Sequence, residues 1–228
     1  MRRPIRIAIP LGALAAAAAA ATALAAVVPI YSNDMSSVAA RAQLVKLGRG
    51  TCKRGGGQTL KLTVGERTRE CDLRTPVIGA NLDIKATARL SAHTPTPLQA
   101  KVFVGVAVRS GDGGQYQLVV FPGKGSFQLR RDMPPNGDRT LLAKGNSGAV
   151  NGVGKANKLR LQAFSSATGD TRVVGFVNGR KLASAVDDPR AAASLTGRYS
   201  TLAVGATKAA NGAAASFDGL TVSVPDPF

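Results

Sequence analysis

Few side chains in this sequence could carry chemistry. There is one histidine, His93, two glutamates, Glu66 and Glu70, two cysteines, Cys52 and Cys71, and no tryptophan. Glycoside hydrolysis needs two carboxylates facing each other across the bond. Glu66 and Glu70 read as part of a loop bracketed by the cysteines, which also holds a Gly55-Gly56-Gly57 turn and a strand-like Leu60–Val64. Asp83 sits on the polar face of a strand without an acidic neighbour in sequence. Asp187 and Asp188 precede Pro189 and fit a turn, where aspartate bonds to nearby backbone. Asp218 follows Phe217 in a closing strand and reads as a sheet-end hydrogen-bonding group. A catalytic pair is therefore not expected.

Metal and nucleophile chemistry are equally thin. His93 lies in Ser-Ala-His-Thr-Pro, a loop, and one histidine leaves no Ser-His-Asp set. Calcium takes six to eight oxygens. Asp187, Asp188 and Asp218 are the only candidates for it, and no Asp-rich loop gathers them. No cofactor is expected. The two cysteines lack the spacing of a redox motif, and a disulfide between Cys52 and Cys71 is the expectation in an oxidising compartment.

Binding chemistry has more material. Thirty Lys and Arg stand against 13 Asp and Glu. Beyond Arg2, Arg3 and Arg6, 27 basic against 13 acidic side chains leave a net +14. Such a field attracts anionic partners, and it also serves solubility. Lys85 and Arg89 are candidates on one polar strand face, Lys158 and Arg160 on another. Arg130-Arg131 is a further basic pair, and Arg180 and Lys181 follow an Asn-Gly turn. Sugar rings stack on exposed aromatics, and Tyr199 is the candidate. Tyr116 shares a face with Leu118 and Val120 and reads as core, as do the strand phenylalanines, Phe176 among them. Nucleic acid is not an expected partner of an exported domain with so few exposed aromatics.

These side chains need elements to hold them. Residues 1–6 form a basic tail expected in the cytoplasm. An uncharged run of 25 residues follows, Ile7 to Tyr31, with seven alanines from Ala15 to Ala21. Two readings stay open. A signal peptide would be cleaved near Ala25, after Ala23-Leu24-Ala25. A signal anchor would span the membrane as a hydrophobic helix, which the length and Val27-Val28-Pro29-Ile30 favour. Both place the remainder outside the cytoplasm. Residues 32–50 read as a linker with a short helix over Val38–Val45, capped from among Asn33, Asp34, Ser36 and Ser37.

Residues 51–228 read as a β-sandwich. Leu82, Ile84, Ala86, Ala88 and Leu90 alternate with polar residues, the period of a half-buried strand. Val102–Val108 is apolar on both faces and reads as central. Gly- and Pro-rich turns then recur at short spacing, giving about eleven or twelve strands. Asn178-Gly179 between alternating runs is the signature of a type I′ hairpin, whose central residues take positive φ.

The order of Asn157-Lys158-Leu159-Arg160-Leu161, Phe176-Val177-Asn178-Gly179, Asp187-Asp188, Gly197, Leu202-Ala203-Val204-Gly205 and Ser216-Phe217-Asp218-Gly219 resembles concanavalin A-like, laminin-G-like jelly rolls. It is most similar to the bacterial family named for 3-keto-disaccharide hydrolases. The resemblance covers about three quarters of the chain and implies an all-β antiparallel jelly-roll sandwich. Its motifs mark fold rather than activity. Three functional expectations stand beside it. The leading one is a non-catalytic domain at the cell envelope that binds glycan or anionic polymer. The others are a glycan-acting hydrolase using Asp83 or Asp187, and a structural or protein-binding domain.

Overall fold

The computed structural model describes residues 29–47, 51–66, 68–111, 113–133, 138–188, 195, 197–206 and 211–224. Among these, fifteen strands and two short helices follow in order: β1 Pro29–Asn33, α1 Val38–Ala42, β2 Val45–Leu47, β3 Cys52–Gly55, β4 Leu60–Val64, β5 Glu70–Ile78, β6 Leu82–Leu90, α2 Thr96–Gln99, β7 Val102–Gly111, β8 Gly114–Phe121, β9 Ser126–Met133, β10 Asp138–Asn146, β11 Asn157–Ser165, β12 Thr171–Val177, β13 Arg180–Asp187, β14 Tyr199–Ala206 and β15 Ala214–Ser223.

The strands form two antiparallel sheets. Sheet A runs β13-β12-β11-β6-β15-β4-β3, with β1 also paired to β15, and sheet B runs β10-β9-β8-β7-β14-β5-β2. The sequence alternation decides which side of each strand faces inward. Ile84, Leu161, Val173 and Phe217 of sheet A meet Val104, Leu118, Leu129 and Val204 of sheet B in one core. The expected central strand is present: β7 lies between β8 and β14, and Phe103 on its outer side joins Val119, Phe121 and Ala203 in a second apolar cluster. The Asn178-Gly179 turn has φ of 51° and 82°, as a type I′ turn requires. Asn178 also ties the turn to its surroundings. Its Nδ2 donates to the Ala149 carbonyl (2.7 Å) and its Oδ1 accepts from the Lys158 N–H (2.8 Å).

The segment 32–50 is not a spacer in the described residues. β1 pairs with β15, β2 pairs with β5, and Met35 and Leu44 are fully buried in the core. The short helix is there, with Ser37 Oγ accepting from the Ala40 N–H at 3.0 Å. The physical reason is edge protection: β1 and β2 satisfy backbone groups that β15 and β5 would otherwise leave open. The expected cytoplasmic tail and all but the end of the expected apolar span, residues 1–28, lie outside the described residues. Its last three residues, Pro29, Ile30 and Tyr31, belong to β1. Among the described residues no helix is long and apolar enough to cross a membrane.

The expected disulfide is present, Cys52 to Cys71, with Cα atoms 5.8 Å apart. It joins β3 of sheet A to β5 of sheet B. Cross-linking a loop of this size restricts the unfolded chain by roughly 3 kcal/mol on the chain-entropy model. Between the cysteines the strand-like run Leu60–Val64 is β4 as expected, but the stretch also holds β3 and the start of β5, where a loop was expected. β5 begins at Glu70, so Cys71 and Leu73 point into the core while Glu70 and Asp72 share the outer face.

Candidate functional site

Two polar constellations occupy the outer faces, one on each sheet. The face of sheet A collects most of the basic candidates, because antiparallel register sets partners side by side. Arg160 of β11 pairs with Lys85 of β6 on one side and Phe176 of β12 on the other. Phe176 in turn pairs with Lys181 of β13, and Lys85 with Thr221 of β15. One residue pair along, Lys158 stands opposite Thr87. A groove of about 380 Å³ lies over this row, lined by Lys85, Lys158, Arg160, Phe176, Gly179 and Thr221 among others.

Inside the groove the cations differ. Arg160 is committed: its Nε lies 3.0 Å from each oxygen of Asp83 and its Nη2 donates to Oδ2 at 2.6 Å. Gln162 Nε2 adds a bond at 3.3 Å, and Asp83 is fully buried beneath them. The guanidinium also lies 5.2 Å from the centre of the Phe176 ring, a cation–π contact. Phe176 was expected in the core, but it is half-buried on the outer face because its inward neighbours are Gly175 and Val177. Lys85 and Lys158 form no ion pair among the described residues. The groove is thus an aromatic floor with a neutralised arginine and two available ammonium groups.

The other candidates stand apart from it. Arg89 shares the face but pairs with Ser216 nearer the β4 edge, and Lys181 continues the Phe176 row toward β13. Arg180 pairs with Val177 and alternates to the opposite side from Lys181. Tyr199 belongs to the other sheet. It is half-buried under the Arg74 guanidinium, 4.5 Å from its ring centre, and lines a separate groove of about 490 Å³ with Arg74, Ile78 and Arg198. Lys85, Lys158 and Arg160 therefore converge, and Tyr199 does not join them.

The outer face of sheet B carries a cluster of which sequence reasoning singled out only Arg130, within the Arg130-Arg131 pair, and missed the partners. Arg130 of β9 donates through Nε to Gln117 Oε1 (2.7 Å) and pairs with Asp132 at 3.0 Å. Its Nη2 reaches Glu70 of β5 at 3.4 Å, and Gln117 Nε2 donates to the other Glu70 oxygen at 2.5 Å. Arg139 of β10 holds Asp132 at 2.8 Å and lies 3.9 Å from Glu70. β9 and β5 are four strands apart, which on a flat sheet would be about 19 Å. An extended arginine and glutamate together reach roughly 12 Å, and the 3.4 Å between their tips brings the span to about 15 Å. Sheet B therefore curls toward this face and forms a trough. Phe103 lies on its floor, 4.6 Å below the Arg130 guanidinium.

Asp72 sits within this cluster, its carboxyl within hydrogen-bonding reach of Glu70. Burial pushes its pKa well above the usual aspartate range, and the neighbouring Glu70 carboxylate pushes it further up. Burial likewise lowers the Arg130 guanidinium, against the raising pull of Glu70 and Asp132. The sequence did hold a signal: an acid-Cys-acid alternation, Glu70-Cys71-Asp72, in which an inward disulfide forces both acids outward.

Asp83 and Asp187, the aspartates proposed for hydrolysis, are otherwise engaged. Asp83 is locked by Arg160. Asp187 accepts from Tyr116 Oη at 2.7 Å and from Arg131 Nη1 at 2.5 and 2.7 Å. This pair bridges the two sheets, and Tyr116 is core as expected. Asp218 lies on β15, four strands from Asp187 in sheet A, so the two cannot share one ion. Among the described residues no three of His, Cys, Asp and Glu group as metal ligands. His93 is exposed between β6 and α2.

No family model matches the chain, and no curated protein matches it. Solved structures match in fold. A protein of unknown function with a galectin-like fold from Bacillus subtilis superposes with a TM-score of 0.62 at 11% identity, over 86% of this chain and 96% of that one. The carbohydrate binding module CBM66 from Bacillus subtilis gives 0.56 at 12%, over 79% and 95%. The Emp46p carbohydrate recognition domain gives 0.57 at 11%, over 86% and 97%. At these identities the likeness shows the fold alone: a galectin-like, concanavalin-like β-sandwich.

Proposed function

We propose that this chain is a non-catalytic glycan-binding sandwich that holds acidic polymer of the cell envelope on the outer face of sheet A. The observation that carries the reading is the groove in which Lys85 and Lys158 flank the Arg160–Phe176 platform. Two uncommitted ammonium groups attract carboxylate or phosphate, and the half-buried ring offers an apolar surface to a sugar face. Arg89 and Lys181 extend the charge along the sheet on either side. Structural neighbours that are carbohydrate binding and recognition domains lend support, since the same sandwich presents sugar sites there. The jelly-roll family resemblance belongs to this reading for its fold and not for its activity.

A place outside the cytoplasm goes with it. The Cys52–Cys71 disulfide supports an oxidising compartment. The basic, apolar N-terminal sequence supports export, as a cleaved leader or as an anchor. A hydrolase using Asp83 or Asp187 is disfavoured, because both carboxylates are saturated by arginines.

The test is retention of the purified protein on immobilised alginate, polyglucuronate and teichoic acid at low ionic strength. The expected result is retention on at least one of them, and its loss in a Lys85→Glu, Lys158→Glu double variant that melts like the parent. Absence of retention on all three, or equal retention by the double variant, would sink the reading.

A further inference from the structure

The groove around Tyr199 opens on the other sheet from the Lys85–Lys158 groove. Its volume, about 490 Å³, falls within the roughly 300–1,000 Å³ of pockets that hold small ligands. Strand register builds it. Arg74 of β5 pairs with Thr201 of β14, and Ile78 with Tyr199. Leu47 of β2 adds an apolar side chain to the lining. The wall at Gly197 is fixed, because a Cβ there would run into the Arg109 carbonyl oxygen.

The charges of this groove are unspent. Elsewhere in the trough Arg130 and Arg139 are held by carboxylates. The guanidiniums of Arg74 and Arg198 make no ion pair or hydrogen bond among the described residues, and the Tyr199 hydroxyl has no partner there either. Arg74 is nonetheless held in place, since its guanidinium lies over the Tyr199 ring, 4.5 Å from the centre. An arginine lying over a ring keeps its N–H groups as a ready fork for a carboxylate. Arg198 is exposed at the mouth.

The lining selects its occupant. Two guanidiniums with no carboxylate among the described lining residues concentrate anions, because a cleft lined by one sign of charge focuses the field. Ile78, 61% exposed, and the half-buried Tyr199 set apolar surface beside that charge. A uronate carries both complements in one residue, a sugar ring and a carboxylate attached to it. A free phosphate would use the arginines and leave the apolar wall wet.

We infer that this groove is a second glycan site, in which Arg74 and Arg198 bind the carboxylate of a uronate residue and its ring lies against Tyr199 and Ile78. The two grooves open on opposite sheets, so one molecule engages two acidic chains, and binding at one raises the local concentration at the other. The site stands on its own geometry. The bridging rests on the function proposed for sheet A.

Calorimetry of the full chain with a glucuronate tetrasaccharide tests the site in a Lys85→Gln, Lys158→Gln background, which silences the other groove. One binding site per chain remains, and an added Arg198→Gln weakens it at least about tenfold, the worth of one charged hydrogen bond. Arg198 is exposed and holds nothing in the fold, so that variant folds. A neutral glucose tetrasaccharide binds at least about tenfold more weakly than the glucuronate. No binding in the lysine background, no effect of Arg198→Gln, or equal binding of the neutral sugar each overturns the inference. On immobilised polyglucuronate, Arg74→Gln with Arg198→Gln lowers retention of a chain whose lysines are intact, because two weak sites hold a dense polymer more tightly than one. Undiminished retention of that variant overturns the bridging and leaves the sheet A reading standing. Undiminished retention of the lysine variant sinks the sheet A reading instead.

Discussion

Asp72 and Asp83 each follow an inward-facing residue on a strand, and each points to an outer face. Asp83 meets Arg160 in a two-pronged pair and Gln162 beside it, so its charge is compensated where it lies. Asp72 meets Glu70, a like charge, and burial without a full set of donors. Its folded pKa is raised above the unfolded value near 3.8. Such a group contributes stability that is fully present below the unfolded pKa and lost as pH rises through the folded one. Replacing Asp72 by asparagine mimics the protonated form and removes that loss. Melting curves of Asp72→Asn and the parent should coincide at about pH 4 and diverge as pH rises, with the variant the more stable at neutral pH. Equal melting temperatures across the range would mean Asp72 ionises without strain.

The β12–β13 hairpin borders the basic groove. Its turn places Gly179 in the lining and keeps Lys181 opposite Phe176. Gly179 has φ of 82°, and a Cβ there would meet nothing within 4 Å. The cost of a side chain is thus in the backbone and not in crowding. Gly179→Val should destabilise by about 1–2 kcal/mol, because β-branched residues resist positive φ. Polymer retention per folded molecule should remain within a few-fold of the parent. A variant that melts like the parent yet no longer binds polymer would overturn the view of this turn as scaffold.

Charge acts over the whole molecule. A net +14 beyond the first six residues repels like charges and draws polyanions over a distance set by salt. Binding of acidic polymer through lysines releases counterions, so affinity should fall linearly in log salt. Lys85→Gln with Lys158→Gln should reduce that slope by about two, one for each contact removed. A slope unchanged by the double variant would place the contacts elsewhere, with Lys61, Arg172 and other outer-face cations next in line.

Local chemistry alone determined much of this protein. Period-2 alternation marked the strands from Leu82 onward, and Asn178-Gly179 set its turn, because both depend on neighbours in sequence. Two cysteines with no other partner in the sequence determined their own pairing. The strands that went unread, β1, β2, β3 and β5, are short, edge-lying or interrupted. β5 alternates Glu70, Asp72, Arg74 and Pro76 on its outer face with the inward Cys71, Leu73 and Thr75, and so reads as a loop. Only tertiary structure decided the sites. Lys85 and Arg160 are separated by many residues and meet through strand register. Glu70 and Arg130 meet because sheet B curls across four strands. Register between distant strands and the curvature of a sheet are set by the packing of the whole core, which no window of sequence contains.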